Sequence, residues 1–291
     1  MCREHWVSKY YFFLQENIIK TGYGIVYNIR NIMTSTSIKV YIYLLCNNES
    51  ILIGPTIDHY QKQFRNTKIT ILDNESTDNS AEIALSKGCE VRPFSTDGKF
   101  DDYKNAEFKN HIWKELPDQD QDQNRENNLW IIVADMDEWL CISDEDLMYE
   151  HVKGTTILTT IGYNIAGNSQ QADLSDIDIH SLDHGFYWPN ESKSLCFKRS
   201  EIQEMNYELG AHNCNPVGRI QYSERKYVVK HMEVLGLPFM IAKFQSRYKR
   251  TEKKRLEGEW WAGLHYTDNI QKITERYQEH YDAAIPIGHL F

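Results

Sequence analysis

The residues best suited to chemistry are the acids of Asp135-Met136-Asp137-Glu138, which follow directly on the apolar run 129–134. In an extended chain, residues i and i+2 point the same way. Both aspartates are therefore expected to leave the strand end on one side while Met136 turns into the fold. Two carboxylates held close repel unless a cation lies between them. Hard divalent cations with oxygen ligands, Mg²⁺ or Mn²⁺, suit such a pair and commonly bridge to a diphosphate. In a solvated loop the triplet would mean little, but at the carboxyl end of a buried strand, where open α/β sheets bind ligands, it marks a site. Two polar clusters end earlier apolar runs: Asn47-Asn48-Glu49, and Asp73-Asn74-Glu75-Ser76-Thr77-Asp78-Asn79-Ser80. In the second, Asp78 is expected to N-cap the next helix. Asp73 stands before that cap and can accept a base N–H or a ribose hydroxyl.

The elements that must position these clusters alternate. Residues 38–45 are β-branched and aromatic and predict a strand, 49–64 have helical spacing, and 68–72 predict a second strand. A helix over 78–87 is stopped by Gly88, a strand covers 89–94, a helix 100–115, and 129–134 reads as a strand buried on both faces. Strand–helix–strand alternation requires right-handed crossovers and a largely parallel sheet, hence a doubly wound α/β fold. Beyond it, 155–161, 194–198 and 227–230 are strand-like and 235–255 mainly helical. Residues 1–37 read as an N-terminal arm and linker before a single domain over 38–291. The acidic tract 118–124 imitates a calcium loop, but Gln123 stands where glycine is needed and Leu129 where a bidentate glutamate is needed, so it is expected to be a solvated loop.

Taken together, Asn47 and Glu49 after the first strand, Leu72-Asp73-Asn74-x-Ser76-Thr77-Asp78-x-Ser80, and the late Asp135-x-Asp137-Glu138 resemble GT-A-type glycosyltransferases of the family 2 kind, chiefly over residues 38–140. The resemblance implies a GT-A fold with a mixed, mostly parallel sheet flanked by helices, a nucleotide-binding half over 38–140 and an acceptor-binding half over 141–291. It also implies a nucleotide-sugar donor, expected to be a UDP-sugar, a hydroxyl acceptor on a glycan, protein or small molecule, and Mn²⁺ or Mg²⁺ as cofactor. Carried over by residue, Asp137 holds the metal, Asp135 meets metal or ribose, and Asp73 meets the base. Asn47, Glu49, Asn74 and Asn105 complete the nucleotide-binding set. A histidine ligand is expected after the last core strand: His231 is the first choice, with His212 and His265 competing. His212, on a loop that reaches donor or acceptor, is also expected in a catalytic role, as is Glu138 beside the aspartates, unless it only orients them. Such relatives usually draw a base from an acid beyond the D-x-D strand, and Asp173, Asp176, Asp178 and Asp183 are available. Trp139, Tyr163, Tyr187, Trp188, Trp260 and Trp261 offer either a sugar-stacking wall or core. The basic run 247–255 suits a diphosphate or an acidic acceptor, a solvated helix face being the expected reading.

Composition narrows the classes. With 41% hydrophobic and 12% aromatic residues the chain can bury a core, and 42 acids against 32 bases give a charge of -10 that disfavours a nucleic-acid polymer as partner. A nucleotide can still bind if a cation reverses the sign locally. No stretch approaches the roughly 20 apolar residues of a membrane span. The amino-terminal residues lack a signal-peptide pattern, so a cytoplasmic protein with six reduced cysteines is expected. A sugar-phosphate nucleotidylyltransferase is the alternative enzyme, but Asn47-Asn48-Glu49-Ser50 is not its Gly-rich basic loop. A non-catalytic carbohydrate-binding or assembly protein would share the fold.

Overall fold

The computed structural model describes residues 38–115, 128–167, 174, 177–258, 263 and 265–290. The arm expected over 1–37, the tract 118–124, Asp173, Asp176, Trp260 and Trp261 lie outside the described residues. In chain order the elements are β1 (Lys39–Cys46), α1 (Ile53–Gln63), β2 (Thr67–Asn74), α2 (Ser80–Ser86), β3 (Glu90–Phe94), α3 (Asp102–His111), β4 (Leu129–Asp135), β5 (Glu138–Cys141), α4 (Asp144–Lys153) and β6 (Ile157–Ala166). They continue with β7 (His184–Tyr187), β8 (Cys196–Lys198), β9 (Ile202–Glu204), β10 (Val217–Gly218), β11 (Tyr222–Val234), α5 (Leu237–Leu256), α6 (Ile270–Ala283) and β12 (Ile285–Pro286).

Alternation along β1 and β4 builds two apolar layers. Val40, Ile42 and Leu44 of β1 and Trp130, Ile132 and Ala134 of β4 enter one layer, completed by Ile53, Ile57 and Tyr60 of α1. Tyr41, Tyr43 and Leu45, with Leu129, Ile131 and Val133, enter the other, which Trp113 and Phe197 close. Each large apolar side chain fully withdrawn from water contributes about 1.5–3 kcal/mol. Burial on both faces is therefore what holds these two strands at the centre.

β3, β2, β1 and β4 lie in that order and run parallel, the parallel sense being what the strand–helix alternation predicts. Beyond β4 the sheet becomes mixed: β8 is antiparallel to β4, β6 joins β8, and β7 and β12 extend the far edge. β11 lies parallel to β6 and antiparallel to β5. The result is the mixed α/β sheet that a GT-A fold implies, all parallel in its first half. The expected strand 227–230 is the middle of a much longer β11, whose polar start, Ser223-Glu224-Arg225-Lys226, concealed it. Among the described residues, no helix is long and apolar enough to cross a membrane, and five cysteines are free thiols.

Residues 135–138 correct the expectation of one extended run. Asp135 ends β4, Glu138 begins β5, and Met136 with Asp137 makes the turn between them, so the period of two does not carry across. Met136 is buried as expected. One face of α1 holds the turn. The Thr56 hydroxyl donates to Met136 O at 2.9 Å and accepts from Trp139 Nε1 at 2.8 Å. Tyr60 donates its hydroxyl to Glu138 O at 2.9 Å and accepts from Leu140 N at 3.2 Å, and Gln63 Oε1 accepts from Ile142 N at 2.7 Å. Positions 56, 60 and 63 follow the i, i+4, i+7 spacing of one helix face. Thr56→Val keeps the shape but leaves a buried carbonyl and an indole N–H unpaired, so chemical denaturation should show a loss of about 1–3 kcal/mol. An unchanged denaturation midpoint would mean that the clamp does not hold the turn.

Candidate active site

The first two motif loops are clasped together. Asn48, at φ 54, accepts through Oδ1 from Thr77 N (2.7 Å) and Asp78 N (3.2 Å), while Ser76 Oγ accepts from Asn48 N (2.9 Å). Ser80 Oγ accepts from Glu49 N (2.9 Å) and Asp78 Oδ2 from Ser50 N (3.0 Å). Asp78 is thus not the N-cap: Asn79 occupies that position without a side-chain cap, and Asp78 Oδ1 accepts from Ser80 N instead. Much of the second motif is consequently spent on fixing the first.

These loops and the β4–β5 turn open onto a cavity of about 840 Å³ at the carboxyl edge of the parallel strands, within the usual size of a small-molecule site. Asn47, Glu49, Asn74, Asn105, Asp135, Asp137, Glu138, His212, His231 and His265 all line it. Asp73 does not: its Oδ1 accepts from Ser76 N at 3.3 Å, and neighbouring Asn74 takes the wall. Asn105 Oδ1 is buried without a hydrogen-bond partner, so it can accept from a ligand. Asn47 Nδ2 donates to Asn74 O at 2.7 Å, and its Oδ1 accepts from Arg250.

The acids of the turn are matched one by one by cations. Asp137, its side chain 3% exposed, has Lys243 Nζ at 2.6 Å, Arg247 Nη2 at 3.2 Å and His231 Nε2 at 3.5 Å. Burial raises its carboxyl, but Lys243, His231 and Arg247 outweigh that and hold it well below the ordinary range. Asp135 meets Lys109 Nζ at 2.8 Å. Burial opposes its ionisation, and Lys109 and Lys193 bring it below the usual value nonetheless. Glu138 faces inward: Oε2 accepts from Asp135 N at 2.9 Å and Oε1 meets Lys193, which also reaches Glu191 at 3.2 Å. Its pKa is raised by burial against the pull of Lys193. Glu49 lies 3.4 Å from Lys243. Sequence reasoning misses Lys109, Lys193, Glu191 and Lys243, whereas Arg247 and Arg250 belong to the basic run 247–255 that it offers to a diphosphate or, as the expected reading, to solvent. Only the spacing of 243, 247 and 250, one helix face, was a usable signal.

This bears directly on the expected metal. Paired carboxylates call for a cation between Asp135 and Asp137, and the resemblance adds His231 to that Mn²⁺ or Mg²⁺ set. In the folded chain the two aspartates engage separate cations already. A divalent ion at Asp137 would lie within a few ångströms of the Lys243 ammonium and the Arg247 guanidinium. Among the described residues, no three His, Cys, Asp or Glu side chains are grouped so as to hold a metal ion by themselves. The residues present do not fit a divalent cation.

Of the three competing histidines, His231 is the one beside the turn, carried there because β11 pairs His231 with Glu138 of β5. Its Nδ1 bonds Asn164 Oδ1 at 2.6 Å. His212 Nδ1 donates to Asn190 O at 2.8 Å, which leaves Nε2 as an acceptor. Gly210, at φ +68, precedes it, and a Cβ there would stand 2.6 Å from His212 Nε2, so glycine is needed to seat the ring. His265 packs against Tyr266 with the rings tilted by 48° and 3.9 Å between centroids. Trp139 belongs to the core, stacked on His59, whereas Trp188 lines the cavity. Asp178 caps a short 3₁₀ turn and Asp183 bonds His184, so neither lines the cavity.

No protein-family profile matches the chain, and no curated protein matches it. Among solved structures it is similar to S. aureus TarS 1-349, at 12% identity over 72% of this chain and 65% of that one, with a TM-score of 0.40. It is also similar to glucosyl-3-phosphoglycerate synthase from Mycobacterium tuberculosis in complex with Mn²⁺, UDP and glucosyl-3-phosphoglycerate (14%, 45% and 46%, 0.26). A third similar structure is mannosyl-3-phosphoglycerate synthase from Rubrobacter xylanophilus (15%, 47% and 43%, 0.28). The chain spans just under two thirds of the first and less than half of the other two.

Burial would strip His231 of its proton, but Glu191 and Asp137 outweigh it and raise its pKa to about 9 from 6.5. A raised folded-state pKa gives stability that is complete below the unfolded value and is lost as pH rises through the folded one. Thermal midpoints should therefore fall between pH 6.5 and 9, and His231→Gln should flatten that fall. A wild-type midpoint flat over this window would show that the imidazolium is not paired.

Proposed function

We propose that the protein is a glycosyltransferase that moves a sugar from a nucleotide-sugar donor, in the first instance a UDP-sugar, to a hydroxyl acceptor. The observation that carries this is the cavity at the carboxyl edge of β1, β2 and β4, walled by Asn47, Glu49, Asn74, Asn105, Asp135 and Asp137 and met by the cations of α5. The amides suit a nucleoside and the cations a diphosphate, while the remaining space toward Trp188 and His212 suits sugar and acceptor.

In the transfer, the bond from the anomeric carbon to the diphosphate oxygen breaks and its electron pair leaves with the diphosphate. The acceptor oxygen bonds to that carbon, and the acceptor hydroxyl proton must go to a base within hydrogen-bond reach. His212 suits this role, since its Nδ1–H is committed to Asn190 O and its Nε2 is an acceptor. Burial and Lys193 lower its pKa below the usual 6.5, keeping the ring neutral near pH 7.

Thermal-shift measurement with UDP-, GDP- and CMP-sugars should show a raised midpoint for one nucleotide, and stabilisation by none would reject the transferase reading in favour of a non-catalytic role. With the donor so found, His212→Asn should lower kcat for donor hydrolysis or transfer by about 10²-fold or more with little change in donor KM. The acid limb of the wild-type profile should lie below pH 6.5. An unaltered kcat would remove His212 from the chemistry.

A further inference from the structure

Helix α5 carries Lys243, Arg247, Arg250 and Lys254 at successive spacings of four, three and four, which is one face. The expectation of a solvated face over 247–255 holds for exposed Lys249 but not for these residues. Lys243 and Arg247 meet Asp137 and Glu49, and Lys254 meets Asp101 at 3.2 Å. Arg250 hydrogen-bonds to neutral oxygens: Asn47 Oδ1, Thr96 Oγ1 at 3.3 Å and Lys99 O at 2.9 Å. Lys243, Arg247 and Arg250 line the cavity.

We infer that Lys243, Arg247 and Arg250 form a diphosphate subsite that takes the phosphates of a nucleoside diphosphate directly, in place of a divalent cation. This rests on the transferase reading and supplies what the unfit metal set leaves open. Two guanidinium groups one helical turn apart present forked donors that match phosphate oxygens. Arg250, held at the end of the β1 loop by Asn47, brings a charge whose hydrogen bonds go to neutral oxygens. Lys243 and Arg247 are already oriented by Asp137 and Glu49, so a diphosphate oxygen adds to their remaining N–H donors without the side chains having to be ordered first. When the anomeric C–O bond breaks, the charge left on the diphosphate oxygen falls on this face.

The test is calorimetric titration of inorganic pyrophosphate and of UDP into the full chain in EDTA and again with Mn²⁺. Both ligands should bind in EDTA, and Arg250→Gln and Arg247→Gln should each weaken binding about tenfold or more. Arg250→Gln breaks no carboxylate pair, so its circular dichroism and thermal midpoint should stay near wild type and separate lost binding from lost fold. UDP binding that requires Mn²⁺, or that survives Arg250→Gln unchanged, overturns the cationic subsite and leaves the transferase reading standing. Binding of neither UDP nor any other nucleotide under either condition overturns both.

Discussion

Asp137 and Glu138 are charged groups withdrawn from water, 3% and 1% exposed at their side chains, and a buried charge persists only where an opposite charge and hydrogen bonds replace its hydration. That requirement organises this half of the molecule. Lys109 comes from α3, Lys193 from the segment before β8, His231 from β11, and Lys243 and Arg247 from α5. Elements distant in sequence are thereby tied to one four-residue turn. Deleting one partner of such a buried pair typically costs about 3–5 kcal/mol, because the other is left uncompensated.

The same balance gives the cavity its character. A chain with a formal charge of -10 would repel a diphosphate at most of its surface, yet the face that α5 turns to the cavity is positive. Acids on one wall and cations on the other leave the charges of the site compensated within the chain. The uncharged groups follow the same economy: α1 supplies hydroxyls and an amide that satisfy the backbone of the turn, and the two motif loops satisfy each other through Asn48, Ser76, Asp78 and Ser80. Motif residues that look like ligand contacts are in part the scaffold that shapes the ligand's surroundings.

The parallel half was legible in the chain because β1 and β4 alternate between two buried layers and their runs are continuous, a pattern that depends on neighbours in sequence alone. The cluster positions were legible for the same reason: polar residues ending apolar strands mark the carboxyl edge of a sheet. His231 could be preferred over His212 and His265 because it follows a strand. The turn at 136–137 could not be read, since it depends on β5 folding back to pair with β11, far downstream in the chain. Asp78 looked like a cap because its local pattern is that of a cap, and only contact with Ser50 redirects it.

Local pattern thus determined the parallel sense of the first half, the edge on which chemistry is placed and the acids gathered there. Tertiary structure decided the sign of the charge that faces those acids. A D-x-D triplet carries no record of which remote lysines and arginines will come within 4 Å of it, because Coulombic compensation acts through space and is set by packing. Lys109, Lys243 and Arg247 meet Asp135 and Asp137 only because folding brings α3 and α5 to the turn.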